Sequence, residues 1–409
     1  MDIYPITYIQ VDLDAIAENV RIIKTLIGPH IKLMAVVKGN GYGHGSTEVA
    51  KVAIENGAEY LGVSTLDEGI ELRNNGIKNP ILIFTPIFPE QGEDIVNYNL
   101  IPSVHSLDLV SALNKIGEEK NKEIKVHVCV DTGFSRFGLF PDQVIHFLNI
   151  IKRRYKKIEV EGIYSHLSTA NTEDHDFTRK QFEVFSDLLG NIKQQNIKIP
   201  LAHIANSAAA VKYPEMRLNM VRVGNVIYGQ SPFLKNNDLN LRETWKFKSR
   251  IVSIKNIPKG SSIGYNREYI AKRDSVIGVI PVGHADGLFV DFYENHITVK
   301  TLIKNLIKDL LKFFNHPIIQ KRVIVKGKSV PIIGRVSMQH CMVDLTDYSD
   351  IKLGDEVELP VRRVTASSRI RRIYFKNRQP ICVEDSPVEK GNEALVQTSV
   401  PGGLVVGKD

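Results

Sequence analysis

The chemistry in this chain is most concentrated at residues 35–45, AVVKGNGYGHG, where an apolar run ends in Lys38 and glycine then recurs at every second position. A lysine at a strand end ordinarily snorkels to solvent. Held among apolar neighbours, its amine loses protons more readily and becomes a Schiff-base nucleophile, and glycines beside it let backbone approach a ligand closely. Four later apolar runs also end in reactive groups: Asp131, His166, Asn206 and Arg222. One polar residue after a strand is usually just the mouth of a loop. An amine, a carboxylate, an imidazole, an amide and a guanidinium, all at the same kind of position, point to a site.

The elements that must bring these groups together are legible as short β-branched runs alternating with helical patterns, the signature of βα units feeding a parallel sheet. Eight such runs occupy residues 32–38, 60–65, 80–85, 101–106, 125–131, 161–166, 201–206 and 220–229. Eight closes a (β/α)8 barrel of TIM type, whose active sites lie at the C-terminal rim of the strands. Between the runs, LDAIAENVRIIKTLI (13–27) and DEGIELRNNGI (67–77) repeat apolar residues at spacings of three and four, as helices packed on a barrel require.

After about residue 235 the pattern changes to short strands separated by Gly and Pro: KFKSRIVSI, SVIGVIPVG, RVIVKGK, HCMVDLT and DEVELPV. The predicted architecture is therefore α/β plus β: a barrel over 1–234, its first few residues packing on the later domain, a mostly β domain over 235–380, and a flexible tail over 381–409. An inserted amphipathic helix is predicted at 298–315, with Leu302, Ile303, Leu306 and Ile307 on one face and Lys300, Lys304 and Lys308 on another. A solvated lysine face on a domain-packed helix is its plainer reading; a membrane-surface helix is the other.

Apolar residues at 43% and charged residues at 24% describe an ordinary globular chain rather than a disordered or fibrous one. The N-terminus lacks a basic start followed by an apolar run, and no uninterrupted apolar stretch spans about 18 residues, so a cytoplasmic protein with no membrane partner is expected. Cys129, Cys341 and Cys382 are few and widely spaced, which argues for neither a disulfide framework nor a metal site. The net charge of +7 is spread along the chain, so nucleic acid is not an expected partner.

AVVKGNGYGHG closely resembles the cofactor-lysine motif of the alanine racemase family, enzymes of fold type III that use pyridoxal 5′-phosphate, where alanines usually stand at Gly39 and Gly41. VDTGFSRFG (130–138), GIYSHLSTAN (162–171), HIANSAA (203–209), NMVRVGNVIYG (219–229), IGYNREY (263–269), IPVGHADG (280–287) and IGRVSMQHCMVDLT (333–346) resemble family segments in family order. The resemblance implies an isomerase acting on a small amino acid, most directly alanine. Lys38 would hold the cofactor and exchange a proton on one face of the substrate, and Tyr265 of the partner subunit would serve the other face in a homodimer with shared sites. A phenol titrates near about 10, so it needs help to act as base, and the family supplies a histidine matching His166.

The same resemblance assigns the phosphate to Tyr42, Ser207 and the amides of Gly224 and Asn225 at a helix start, and counts Asn206 among the cofactor-binding residues. It assigns the cofactor ring nitrogen to Arg222, and the substrate carboxylate to Arg136 and the Met338 amide. Arginine donates and does not accept protons, which favours racemisation over decarboxylation. The product would be D-alanine for peptidoglycan.

Several positions depart from the family pattern. Cys129 stands where a lysine steadies the arginine, so Arg136 is expected to find another anchor or move. His284, Gln339 and Asn171 alter what resembles the substrate path, and Ser368 replaces a phosphate-contacting tyrosine. A weaker cofactor grip and a broader substrate range, serine included, are expected. The alternatives are a serine or broad-specificity racemase, a cofactor-binding homologue with weak or no activity, and a threonine-aldolase-like lyase, which needs a metal cluster the sequence does not display.

Overall fold

The computed structural model describes residues 5–172, 174–231, 239–290, 302–303, 305–307 and 320–383. They fall into two compact units, Asp12–Thr244 and Met1–Val11 with Trp245–Asp409.

The first unit is a parallel barrel. After β1 (Tyr8–Asp12) come β2 (Lys32–Val36), β3 (Tyr60–Val63), β4 (Ile81–Ile83), β5 (Ile101–Val104), β6 (Ile124–Cys129), β7 (Ile158–Tyr164), β8 (Leu201–His203) and β9 (Met220–Val223). The order β8-β7-β6-β5-β4-β3-β2-β9 matches the eight predicted runs one for one. Backbone bonds from Asn219 to Ala202 (3.2 Å) and from Arg222 to Ala205 (3.0 Å) link β9 back towards β8. Met34, Tyr60, Leu82, Ile101, Cys129, Tyr164, Leu201 and Met220, one from each barrel strand, make a common buried cluster. Such filling leaves a packed core, not a pore, and moves open space to the rim.

The helix Leu13–Ile27 shows how the barrel is wrapped. The Asp12 carboxylate accepts the Ala15 amide at 2.8 Å to cap it, and Leu13, Ile16, Val20, Ile23 and Ile27 form its buried stripe. Each such apolar side chain contributes about 1.5–3 kcal/mol on burial. A later helix on the barrel, Leu66–Asn74, begins in a capping box between Thr65 and Glu68.

The second unit is built on strands β10 (Trp245–Arg250), β11 (Ser253–Ile257), β12 (Ser262–Ile263), β13 (Tyr269–Ile270), β14 (Ser275–Ile280), β15 (Arg322–Val325), β16 (Lys328–Ile333), β17 (Cys341–Asp344), β18 (Glu356–Leu359), β19 (Arg372–Lys376) and β20 (Gln379–Val383). Ten strands, β1 included, form one sheet, and β12 with β13 a second.

Two predictions need correction here. KFKSRIVSI is not one strand: it breaks at Ile251 and Val252, and its halves pair with different neighbours, β10 with β18 and β11 with β14. The tail expected from 381 starts later, because Ile381, Cys382 and Val383 belong to β20, which pairs with β19 in a hairpin turned by Asn377 and Arg378 at positive φ. The rest of that tail lies outside the described residues. So does most of the predicted helix 298–315; within it, residues 302–303 and 305–307 are helical, and Leu302, Ile303, Leu306 and Ile307 are exposed. No described helix is long and apolar enough to cross a membrane.

Candidate active site

A cavity of about 700 Å³ opens at the C-terminal rim of the barrel, and the first unit's predicted residues Lys38, Tyr42, Arg136, His166, Asn206, Ser207, Arg222, Gly224 and Asn225 all line it. Lys38 follows β2 after a single residue, Val37. Beyond it Gly39, Asn40, Gly41 and Tyr42 all take positive φ between 49° and 61°, a single left-handed turn that the two glycines make accessible. Glu68 steadies this turn: one carboxylate oxygen accepts the Gly39 amide at 2.6 Å, and the other accepts the Ser64 amide at 2.7 Å. A Cβ at Gly39 would meet nothing within 4 Å. Gly39→Ala should therefore cost only the backbone term, about 1 kcal/mol, which urea unfolding of the two proteins would read.

Burial holds the Lys38 amine below its ordinary range, the Arg136 and Arg222 charges lower it further, and Glu68 opposes them. Arg222 is 4% exposed on β9, and among the described residues no carboxylate pairs with it. Its Nη1 donates to His203 Nδ1 (2.9 Å) and the His203 carbonyl, and its Nη2 to the carbonyl of Ser165 (2.8 Å), His166 Nδ1 (3.1 Å) and the Ile204 carbonyl. None of these five bonds uses Nε–H. Burial lowers the guanidinium to about 10, so it remains a cation at neutral pH.

His166 is pushed down to about 3, first by burial and then by the charges of Arg222, Arg136 and Lys38. Since Arg222 can only donate, His166 Nδ1 accepts, and the neutral ring carries its proton on Nε2. The ring also meets Phe134 edge-on at 5.2 Å. A histidine buried neutral costs stability in acid: the unfolded chain takes up a proton near 6.5 that the folded chain refuses until about 3. Its contribution is complete above 6.5 and is lost as pH falls through that window. His127 and His203 are lowered in the same sense. The melting temperature should thus fall between about pH 7 and pH 5, and His166→Gln should flatten that slope; a flat wild-type profile contradicts the assignment.

The predicted anchor problem at Arg136 has an aromatic answer. Its guanidinium lies 4.4 Å over the Phe134 ring and 5.5 Å from that of Phe137. Asp131, read from the sequence as a reactive carboxylate, instead builds the loop that carries these rings: its Oδ1 accepts the amides of Gly133, Phe134 and Ser135 at 2.9–3.0 Å. Burial raises the Cys129 thiol, which is tied to Tyr164.

Tyr42, Ser207 and Gly224 converge on one wall of the cavity. The Gly224 amide donates to Ser207 Oγ at 3.0 Å, and a Cβ on Gly224 would fall 2.6 Å from the Tyr42 hydroxyl. The helix expected to start at Gly224 is absent: residues 224–229 are successive turns, closed by Ile227, Tyr228 and Gly229 amides on the carbonyls of Gly224, Asn225 and Val226. Gly229, at φ 76°, leaves no room for a helical continuation. Asn206 caps Ser207–Lys212 by accepting the Ala209 amide and donates to the Leu167 carbonyl.

The other two predicted residues sit in the second unit. Tyr265 opens a tight turn in which Asn266 and Arg267 have positive φ, and its side chain is 65% exposed in the single chain. Met338 is 73% exposed, with its carbonyl accepting the Ala285 amide of the GHADG segment. Gly283 lets that segment approach, since a Cβ there would meet the Met338 carbonyl oxygen at 2.5 Å. Glu68 and the Phe134 anchor were missed from sequence; the Thr65-x-x-Glu68 spacing was a usable signal for the first.

Residues 11–232 match the model of the alanine racemase N-terminal domain and residues 244–373 that of the alanine racemase C-terminal domain. "Alanine racemase 1" of Caldanaerobacter subterraneus subsp. tengcongensis is 38% identical over 352 residues, 86% of this chain and 84% of that one. The solved alanine racemase of Clostridium difficile 630 superposes with a TM-score of 0.84 at 30% identity, covering 94% of this chain and 100% of its own. That of Bacillus anthracis, with bound L-Ala-P, gives 0.80 at 29% identity over 95% of this chain and 100% of its own. Matched by both domain models along most of its length, the chain belongs to the alanine racemase family.

Proposed function

We propose that this enzyme interconverts L- and D-alanine with pyridoxal 5′-phosphate at Lys38, as a cytoplasmic homodimer with shared sites, and that it supplies D-alanine for peptidoglycan. The observation that carries the reading is one rim cavity holding an amine of lowered basicity, a buried guanidinium without a carboxylate, and an imidazole held neutral.

The residues fit that cofactor. The Lys38 amine is the natural covalent anchor, the Nε–H of Arg222, outside its five bonds, suits a ring nitrogen, and the Tyr42, Ser207 and Gly224 cluster, in which a Cβ on Gly224 would displace the Tyr42 hydroxyl, suits a phosphate. When bound, pyridoxal phosphate supplies an electron sink that acidifies the substrate α-carbon. Lys38 then takes or returns a proton on one face of that carbon. Tyr265 of the partner subunit does so on the other, with the His166 Nε2–H available to its oxygen. Exposure of Tyr265 and Met338 in the single chain supports their use by a second copy. Arg136, held flat on Phe134, offers its charge to the substrate carboxylate. With Ser368 in an exposed loop in place of a tyrosine ring, the cofactor is held less tightly and serine is accepted beside alanine.

Borohydride reduction of protein incubated with pyridoxal phosphate, followed by peptide mass analysis, should place the adduct on Lys38, and chiral chromatography should show D-alanine forming from L-alanine. An adduct on another lysine, or L-alanine left untouched, would overturn the reading.

A further inference from the structure

Three of the ionisable residues in the barrel interior that this chemistry leaves unused stand in file behind Arg222. His203 Nδ1 faces Arg222 Nη1 at 2.9 Å, His203 Nε2 lies 2.9 Å from His127 Nδ1, and His127 Nε2 lies 3.3 Å from Glu161 Oε2. Both imidazoles are fully buried. Glu161 also accepts Lys125 Nζ at 2.7 Å and lines a smaller cavity of about 230 Å³ among the beginnings of β5, β6 and β7, at the end of the barrel opposite Lys38.

Only one order of protons satisfies this file. Arginine donates and never accepts, so His203 Nδ1 is an acceptor and its Nε2 bears the hydrogen. His127 Nδ1 must then accept and His127 Nε2–H must donate, which suits a carboxylate at the end. Burial keeps both imidazoles neutral. Burial alone would raise Glu161, but hydrogen bonds from His127 and Lys125 outweigh it and hold the carboxyl down at about 2. His127 and Glu161 therefore make a hydrogen bond, not an ion pair. The other titratable groups facing the file are Tyr60 on β3, Cys129 on β6, and Glu159 and Tyr164 on β7. The Tyr164 ring stacks on His203 at 5.0 Å and 8°, with the Arg222 guanidinium 5.2 Å from the same ring.

Local structure is shaped to admit the file. His127 is in register with Gly162 on the neighbouring strand, at a shift in the β6–β7 pairing. A Cβ on Gly162 would lie 2.5 Å from the His127 ring, and Gly162 does not have the positive φ that would otherwise call for glycine. Its role is space for an imidazole. Polar groups in a core that is otherwise apolar cost stability unless every one is matched, so a purely structural core would be better served by aliphatic residues.

We propose that His203, His127 and Glu161 are positioning residues for Arg222: the carboxylate at the far end, an obligate acceptor, locks the proton order that the guanidinium at the near end requires, and the locked file holds Arg222 oriented with its Nε–H outside these bonds. This rests on the reading of Arg222 as the partner of the cofactor ring, and its test separates the two.

Histidine-selective ¹⁵N NMR of the cofactor-free protein should show both imidazoles as neutral Nε2–H tautomers that do not titrate between about pH 5.5 and 9, with a coupling across the His203–His127 hydrogen bond. Gly162→Ala, which removes no polar group, should abolish that coupling. In the loaded enzyme it should lower kcat for alanine roughly 10- to 100-fold with little change in KM. Glu161→Gln, equal in size, should release the tautomers and lower kcat in the same sense, and it decides alone should Gly162→Ala fail to fold. Nδ1–H tautomers in the native protein, or folded variants with kcat within about two-fold of native, overturn the proposal. A native protein that shows the tautomers but moves no alanine would instead overturn the functional reading and leave the file standing.

Discussion

Lys38→Ala is expected to lose alanine racemisation by roughly 10⁴-fold while the barrel stays folded, since positioned acid–base groups contribute up to about that factor. The side chain is only partly buried, and the left-handed turn after it is held by Glu68 and the glycines, not by the amine. What disappears is a group that burial, Arg136 and Arg222 together keep poorer in protons than a surface lysine. Lys38→Arg should fail as completely, because a guanidinium keeps its charge at any working pH. Methylamine added to the alanine variant should return part of the rate. Either variant racemising alanine at a native rate would remove Lys38 from the account.

Tyr265→Phe carries the second large effect, an expected loss of roughly 10³-fold in racemisation. Only a hydroxyl is removed from an exposed side chain, so the melting temperature should not move. The loss should be one-sided. Hydrogen exchange at the α-carbon should survive for the enantiomer served by Lys38 and vanish for the other, a pattern that general misfolding does not produce. Mixing the Lys38→Ala and Tyr265→Phe proteins tests the shared site as well. If Tyr265 acts across the dimer, each heterodimer regains one intact site, and random mixing returns about a quarter of native activity. If it acts within its own chain, no activity returns.

The barrel strands were legible because each is a short β-branched run between helical periodicities, and that contrast survives in a single sequence. The five reactive strand ends shared a position, and all five line the cavity. Asp131 does so with its Oδ1 committed to the loop, which sequence could not show: an aspartate that nests three backbone amides and one left open to a substrate look alike until the loop is built. The break in KFKSRIVSI was hidden because Ile251 and Val252 are good strand residues whose bend comes from pairing with two different partners. A helix start at Gly224 was carried over from the family resemblance, whereas the constraint that ends these turns at Gly229 is tertiary: a Cβ there would sit 2.1 Å from the Arg242 carbonyl oxygen. The histidine file was invisible for a related reason. His127, Glu161 and His203 lie on three strands, and only closure of the barrel puts their rings and carboxylate in line.

The measurement that bears most directly on the central claim is α-proton exchange in deuterated water, followed by NMR with chiral analysis, for L-alanine, D-alanine and L-serine with the pyridoxal phosphate-loaded protein. The account predicts deuterium at the α-carbon together with inversion for alanine, from either enantiomer, and inversion of serine as well. Loaded protein that incorporates no deuterium into any of them would contradict it.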